Sequence, residues 1–489
     1  MPDCIGPGRW RPILTKVRSR FGNEDGNETV NWFSLGRIRV LLLPRRESEA
    51  GSRSRSRRSP ILIAFSCLLT TLLPFPVLAH DAAIGAELDR IARETADIRE
   101  LPPLAEIDDV LLTREELLAM MPEIIAEESD PAEIAAQTRG LIALGLLPAG
   151  TDLIDLGVRL LGEQAYGYYD PLTDEMIVVS DGDADLGAEE YFYSHEVVHA
   201  LQDAHLDPDD LMEEPLSGNG DADLAALALY EGDATIASTL YLERYPELAL
   251  ELIGVATADS PELAAAPAAV VVSLLFPYAE GPRFIERLLR EGGWEAVNAA
   301  YAEMPASTEQ ILHPGKYVKR DLPVTISLPD PVDTLGAGWS LGDDDTLGEL
   351  MIGVLLADLA PGEGLDTITG TISFPEAARN AAAGWDGDRY ALWEAGDDEV
   401  LVWRSVWDTE SDARAFSRAL AQFGNNRFGG GFNGESADDV ALVTPEIAAR
   451  IQLDGQEVRY VQAPTLALAD SAMEALEALP PPDSAPGPD

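Results

Sequence analysis

The chain has 489 residues, with 34 Lys and Arg against 86 Asp and Glu, a formal charge of −52 at neutral pH. A polyanion of this size does not bind nucleic acid through its bulk surface. With 46% hydrophobic residues it buries a sizeable core over two or three domains, which excludes disorder along the whole chain.

The first 79 residues stand apart: they hold 13 basic and 6 acidic side chains and both cysteines, Cys4 and Cys67. Arg53, Arg55, Arg57 and Arg58 precede the apolar run Ile61–Leu73, and small residues follow at Val77 and Ala79. A basic segment, an apolar core of about 7–15 residues and a small-residue cleavage site define a secretory signal peptide. Pro74 and Pro76 interrupt the run well short of the ~20 residues a membrane span needs. The expectation is an N-terminal extension and signal peptide over 1–79, cut after Ala79. The mature protein is then secreted or periplasmic, without a thiol, a disulfide or a membrane span.

From Ile84 to Leu101 and from Thr113 to Ala126, apolar residues recur every three or four positions, which predicts amphipathic helices. Asp130-Pro131 opens another helix to about Leu147, and one more covers Leu153–Leu161. The period then changes. Ala165–Tyr169, the turn signal Asp170–Asp174 and Glu175–Ser180 predict a β-hairpin, and an Asp-rich loop over 181–187 leads into a helix from Ala188 to Leu206. A second long helix is predicted over Ala222–Tyr245. Leu263–Phe276 is apolar on all sides but too short to span a membrane, so it reads as a buried helix, followed by a helix over Gly281–Glu291.

Pro, Gly and Asp crowd residues 321–344 and mark a domain boundary. Beyond it, Tyr390–Ala395 and Val400–Trp407 predict a hairpin, Ser411–Phe423 a helix, Val458–Gln462 a strand and Leu466–Leu479 a helix. Trp403 and Trp407 fall on one strand face and read as core. The expected organisation is α+β: a mostly helical domain over 80–325, a smaller α+β domain over 335–479, and a disordered tail over 480–489.

The chemistry concentrates in His195-Glu196-Val197-Val198-His199. On a helix, side chains four apart share a face, so both imidazoles can ligate one metal ion while Glu196, offset by about 100°, reaches a bound water as general base. A catalytic zinc site takes a third protein ligand and keeps an open position. Glu231, in Leu229-Tyr230-Glu231-Gly232-Asp233-Ala234, is the leading candidate, because a lone carboxylate in an apolar helix is costly without a partner. His205 is the alternative. His313, in a polar stretch before Pro314 with Tyr278 and Tyr317 behind it, is the candidate donor to the oxyanion, or else a surface histidine. Asp203, one turn beyond His199, is a candidate to orient that ring. Asp181, Asp183 and Asp185 mimic the start of a calcium loop, but Leu186 and Phe192 stand where an EF-hand needs Gly and Glu.

The stretches EQAYGYYDPLTDEMIVVSD (163–181), HEVVHALQDAH (195–205), ALYEGDAT (228–235), FPYAEGPRFIERLLREGGWEAVNAAY (276–301) and STEQILHPGKY (307–317) make the chain resemble the gluzincin type of metallopeptidase, which pairs HExxH with a downstream Glu. It is similar in particular to a group of secreted, largely uncharacterised bacterial and archaeal metallopeptidases. The resemblance spans roughly residues 85–320, departs at Ala204 and Gly315, and extends only loosely to the C-terminal part. It implies a zincin-like catalytic domain with a small edge hairpin and one Zn2+ held by His195, His199 and Glu231. It further implies peptide or protein substrates, hydrolysed by a zinc-bound water with Glu196 as base. The competing expectation is a cell-envelope binding protein with a vestigial or structural zinc site.

Overall fold

The computed structural model describes residues 82–105, 107–117, 119–120, 130–164, 167–170, 175–179, 186–206, 218–256, 260–366 and 371–482. The segment expected as a leader over 1–79, residues 121–126, the hairpin turn at 171–174, the first part of the Asp-rich loop at 181–185 and the tail from 483 lie outside the described residues.

The architecture is α+β. Helix α1 (Ala82–Arg99) buries Leu88, Ile91 and Ala96, the stripe its periodicity predicts. Strand β1 (Asp108–Leu112) follows, then helix α2 (Pro131–Leu144), which starts where the Asp130 side chain accepts from the Ala132 N–H and ends at Gly145, left-handed at φ 100°. Strands β2 (Gly167–Asp170) and β3 (Glu175–Val179) form the predicted hairpin. Strand β1 pairs in parallel with β3, giving the order β1-β3-β2 and leaving β2 at an edge. Nothing in Asp108–Leu112 alternates clearly enough to predict that third strand.

Helices α3 (Glu189–Leu206) and α4 (Gly220–Arg244) cross beside this sheet. Both are buried around most of their circumference, so neither has a strong polar face. The apolar run expected as one helix over Leu263–Phe276 is divided: Pro267 ends a short turn at Pro261–Ala265 and opens α5 (Ala268–Ala279), because proline lacks the N–H that would continue the first segment. Helix α6 (Gly281–Gly292) follows almost without a break. Together Ala268–Gly292 is long and apolar enough to cross a membrane, and 89% of the 18-residue stretch within it that is apolar enough is buried inside the protein.

A seven-stranded antiparallel sheet dominates the C-terminal part. In chain order its strands are β4 (Ser340–Asp345), β5 (Trp385–Ala395), β6 (Asp398–Trp407), β7 (Asn433–Ser436), β8 (Asp439–Val443), β9 (Ala448–Asp454) and β10 (Glu457–Ala463). They lie side by side as β4-β5-β6-β10-β9-β8-β7. Because side chains alternate across a strand, Trp403 and Trp407 pack against helix α7 (Glu410–Phe428) through Phe416, while Trp393, Val400 and Val402 meet helix α8 (Leu466–Glu477) on the other face. Strand β4 lies within the segment read as a boundary. It pairs with β5 and packs against α2, and one apolar cluster runs from Leu141 and Tyr230 through Phe276 to Trp385 and Trp403.

Buried carboxylates knit this junction. Asp388 accepts from the Leu347 and Gly348 N–H groups and from the indoles of Trp385 and Trp403, and Asp345 accepts from the Gly220 N–H at 2.7 Å. Burial pushes Asp343 up to about 7 and Asp386 up to about 6, each helped by a neighbouring carboxylate. Burial raises Glu309 to about 8 against the pull of Lys316. In these groups the folded chain holds protons that the unfolded chain releases near pH 4–5, so between those values stability falls as pH rises. The midpoint of thermal unfolding of the metal-free protein is expected to drop between pH 5 and pH 8 at constant ionic strength; a midpoint that rises over that interval contradicts this account of the junction.

Candidate metal centre

Helix α3 places His195 and His199 one turn apart on the face toward α4, and the middle of α4 brings Glu231 to the same point. All three are buried, His199 and Glu231 completely. Their donors converge: His195 Nε2 lies 3.1 Å from His199 Nε2 and 3.1 Å from Glu231 Oε2, and His199 Nε2 is 3.4 Å from the same oxygen. A tetrahedral divalent ion with bonds of about 2.0–2.1 Å separates its ligands by about 3.3 Å, so the three donors already stand at the edges of such a polyhedron. Among the described residues they form a group able to hold a metal ion.

The second oxygen of Glu231, Oε1, is buried without a hydrogen-bond partner. A carboxylate oxygen left so in an apolar interior costs on the order of 1–3 kcal/mol or more, a cost that a cation bound by both carboxylate oxygens would remove. Burial by itself would raise the Glu231 carboxyl, but His199 by charge and His195 by hydrogen bonding outweigh it and hold the group at about 2. The donor set of two imidazoles and one ionised carboxylate suits a borderline divalent metal.

The surroundings fix the ligands. The Tyr230 ring stacks on His199 with centroids 4.3 Å apart, and the Tyr278 ring lies 6.3 Å from that of His195. Glu196 is buried on α3 beside the edge strand β2, its Cγ 3.9 Å from where a Cβ on Gly167 would sit. A pair of glycines lies at the contact beside Glu231. A Cβ on Gly232 would meet the Gly281 carbonyl carbon at 2.4 Å, and one on Gly281 would meet the Ala228 oxygen at 2.2 Å. Only glycine at both positions lets the end of α5 and the start of α6 close against α4 beside Glu231.

The remaining expected residues fall elsewhere. Gln202, rather than Asp203, orients His199: Nδ1–H donates to Gln202 Oε1 at 2.7 Å, while Asp203 accepts from the Tyr169 hydroxyl at 2.8 Å. The helix crossing decides between these neighbours, since it aims position 202 inward and position 203 toward β2. His205 is no ligand; its Nε2 pairs with the Pro102 carbonyl at 2.7 Å. His313 is a junction residue, with Nε2 3.0 Å from Glu349 Oε1, a bond that raises its pKa, and about half of its side chain exposed. Its Nε2 is thus engaged by a carboxylate from the C-terminal part. Tyr317 donates to the Glu303 carbonyl, whereas the Tyr278 ring lies beside His195.

A domain of unknown function, DUF8575, matches residues 338–473, which cover the seven-stranded sheet and leave the three converging residues outside it. No curated protein and no solved structure matches the chain.

The glycine contact gives a direct test. Gly232→Ala forces backbone against backbone, which cannot yield as a side-chain tip does, so a loss of about 1–3 kcal/mol with weakened metal binding is expected by thermal denaturation and metal titration. An alanine variant as stable as the parent would show that the approach of α6 to α4 is not tight.

Proposed function

We propose that the protein is an exported zinc metallopeptidase of the gluzincin type. The observation that carries this reading is the buried convergence of His195, His199 and Glu231 with an orphaned carboxylate oxygen. Zinc, when held by these residues, supplies a Lewis acid that brings the pKa of water from its bulk value toward about 7.

The chain's own groups perform the rest. Glu196 follows the first ligand on the same helix and lies against β2, where it accepts a proton from the attacking water and returns it to the leaving amine. Strand β2 sits at the edge of its sheet. An edge strand is where an extended peptide can add by main-chain bonds, the mode of recognition in which those bonds give affinity, and among the described residues β2 holds that place. Gly167 lets β2 lie close to β3 beside Glu196, since any Cβ there would press on the Ile177 oxygen at 2.9 Å. Tyr278, beside His195, takes the oxyanion-donor role expected of His313.

A structural zinc site in an envelope binding protein is the competing reading. Structural sites are closed by four protein ligands, whereas among the described residues the group has three donors and a buried glutamate next to them. The export reading rests on the leader of residues 1–79.

Glu196→Gln keeps shape and loses the proton acceptor. The variant is expected to retain one zinc per chain and its fold while peptide hydrolysis falls by about two to four orders of magnitude. Undiminished hydrolysis would remove Glu196 from the mechanism. Glu231→Ala, in contrast, is expected to abolish stoichiometric zinc.

A further inference from the structure

The interior behind His199 contains a chain of polar groups that no metal contact requires. Gln202 accepts from His199 Nδ1–H through Oε1, and its amide nitrogen lies 3.1 Å from the Tyr230 carbonyl, 3.1 Å from Asp233 Oδ2 and 2.8 Å from the Tyr301 hydroxyl. Tyr301 in turn donates to Asp233 Oδ2 at 2.9 Å. Asp233 is clamped by Arg99, with Nε 2.7 Å from Oδ1 and Nη2 3.0 Å from Oδ2, and both partners are fully buried. Arg99 also donates to Asn298 at 2.7 Å and lies 4.3 Å from the Trp294 ring centroid. A buried ion pair of this kind seldom adds net stability over an apolar replacement, which leaves its presence behind a metal ligand to be explained.

We infer that the Arg99–Asp233 ion pair locks the Gln202 amide in one orientation and thereby selects the tautomer in which His199 offers Nε2 to the metal. An amide has two faces of nearly equal shape, one that accepts and one that donates. If Gln202 turned over, its NH2 would face Nδ1, the imidazole proton would move to Nε2, and the lone pair that binds metal would be lost. Asp233 opposes the turn together with the Tyr230 carbonyl, because the oxygens that face the amide nitrogen accept and so demand the NH2 side. Arg99 fixes that carboxylate in place by donating to both of its oxygens. In most histidine ligands the second nitrogen faces a carboxylate, a backbone carbonyl or water, and none of these needs a lock; a glutamine does. Gln202, Asp233 and Arg99 are therefore positioning residues. Arg99 ends α1, so the helix that opens the described chain holds a ligand at the centre of the domain.

The inference rests on the metal-centre reading but not on peptide hydrolysis, and it is tested without substrate. In metal-free protein labelled with 15N-histidine at pH 8, His199 is expected as the Nδ1–H tautomer in the parent and as a mixture in Asp233→Asn and in Gln202→Leu. Zinc affinity, measured by competition with a chromophoric chelator on protein shown to be folded by circular dichroism, is expected to fall by about 10–100-fold in each variant. Because Asp233 acts through Gln202, adding Asp233→Asn to Gln202→Leu should lower affinity no further. Should Asp233→Asn fail to fold with Arg99 unpaired, Gln202→Leu, which changes no charge, carries the tautomer and affinity measurements alone. A single His199 tautomer and parental zinc affinity in the folded variants, or two effects that simply add, would overturn the lock. A parent that binds zinc tightly yet cleaves no peptide would instead overturn the peptidase reading and leave the lock standing.

Discussion

A carboxylate with one unpartnered oxygen, buried beside two imidazoles, is the constraint around which the rest of the helical domain is arranged. Glu231 sits mid-helix at zero exposure, with Oε2 at the convergence of His195 and His199 and Oε1 unpartnered, a group that could hold a metal ion. The packing serves that point. Two long helices are buried on nearly every face, which removes water from the donors, and the glycine pair at 232 and 281 lets a third segment close over them. Polar atoms in this interior are costly unless paired, and the pairing extends outward from His199 through Gln202, Tyr301 and Asp233 to Arg99.

The C-terminal sheet supports the site from a distance. Its carboxylates face inward at the junction, where backbone N–H groups, indoles and Lys316 receive them, while a core shared with α2 and α5 joins the two parts. In a chain of charge −52, acidic side chains are the available material for such contacts, so the junction is built from acids whose proton affinity burial has raised. His313 belongs to this junction through Glu349 and shares the same direction of pH dependence, since its raised pKa makes its ion pair strongest at low pH and lost as pH climbs.

Local pattern made the helices and the metal ligands legible. The spacing of His195 and His199 is a property of a single helix, and Glu231 was conspicuous as a charge inside an apolar stretch. The hairpin ahead of α3 announced itself by its change of period, as did the strands carrying Trp393 and Trp403. Contacts between distant segments left no such mark. Arg99 and Asp233 are 134 residues apart, and nothing near either names the other. Gln202 and Asp203 are adjacent, so the choice between them belonged to the crossing angle of α3 over α4. His313 was assigned from its polar neighbours, while its partner lies 36 residues on, beyond the segment read as a boundary. Strand β1 and the strands from Asn433 to Asp454 escaped because short or mixed segments gain their β character from the neighbours they pair with.

The central claim is that two imidazoles and one carboxylate of this chain hold a single zinc ion. X-ray absorption at the zinc edge of the purified, zinc-loaded protein tests it most directly. The account predicts one zinc per chain in a shell of nitrogen and oxygen donors at about 2.0–2.1 Å, with the outer-shell scattering of two imidazole rings. A shell without imidazole scattering would contradict it.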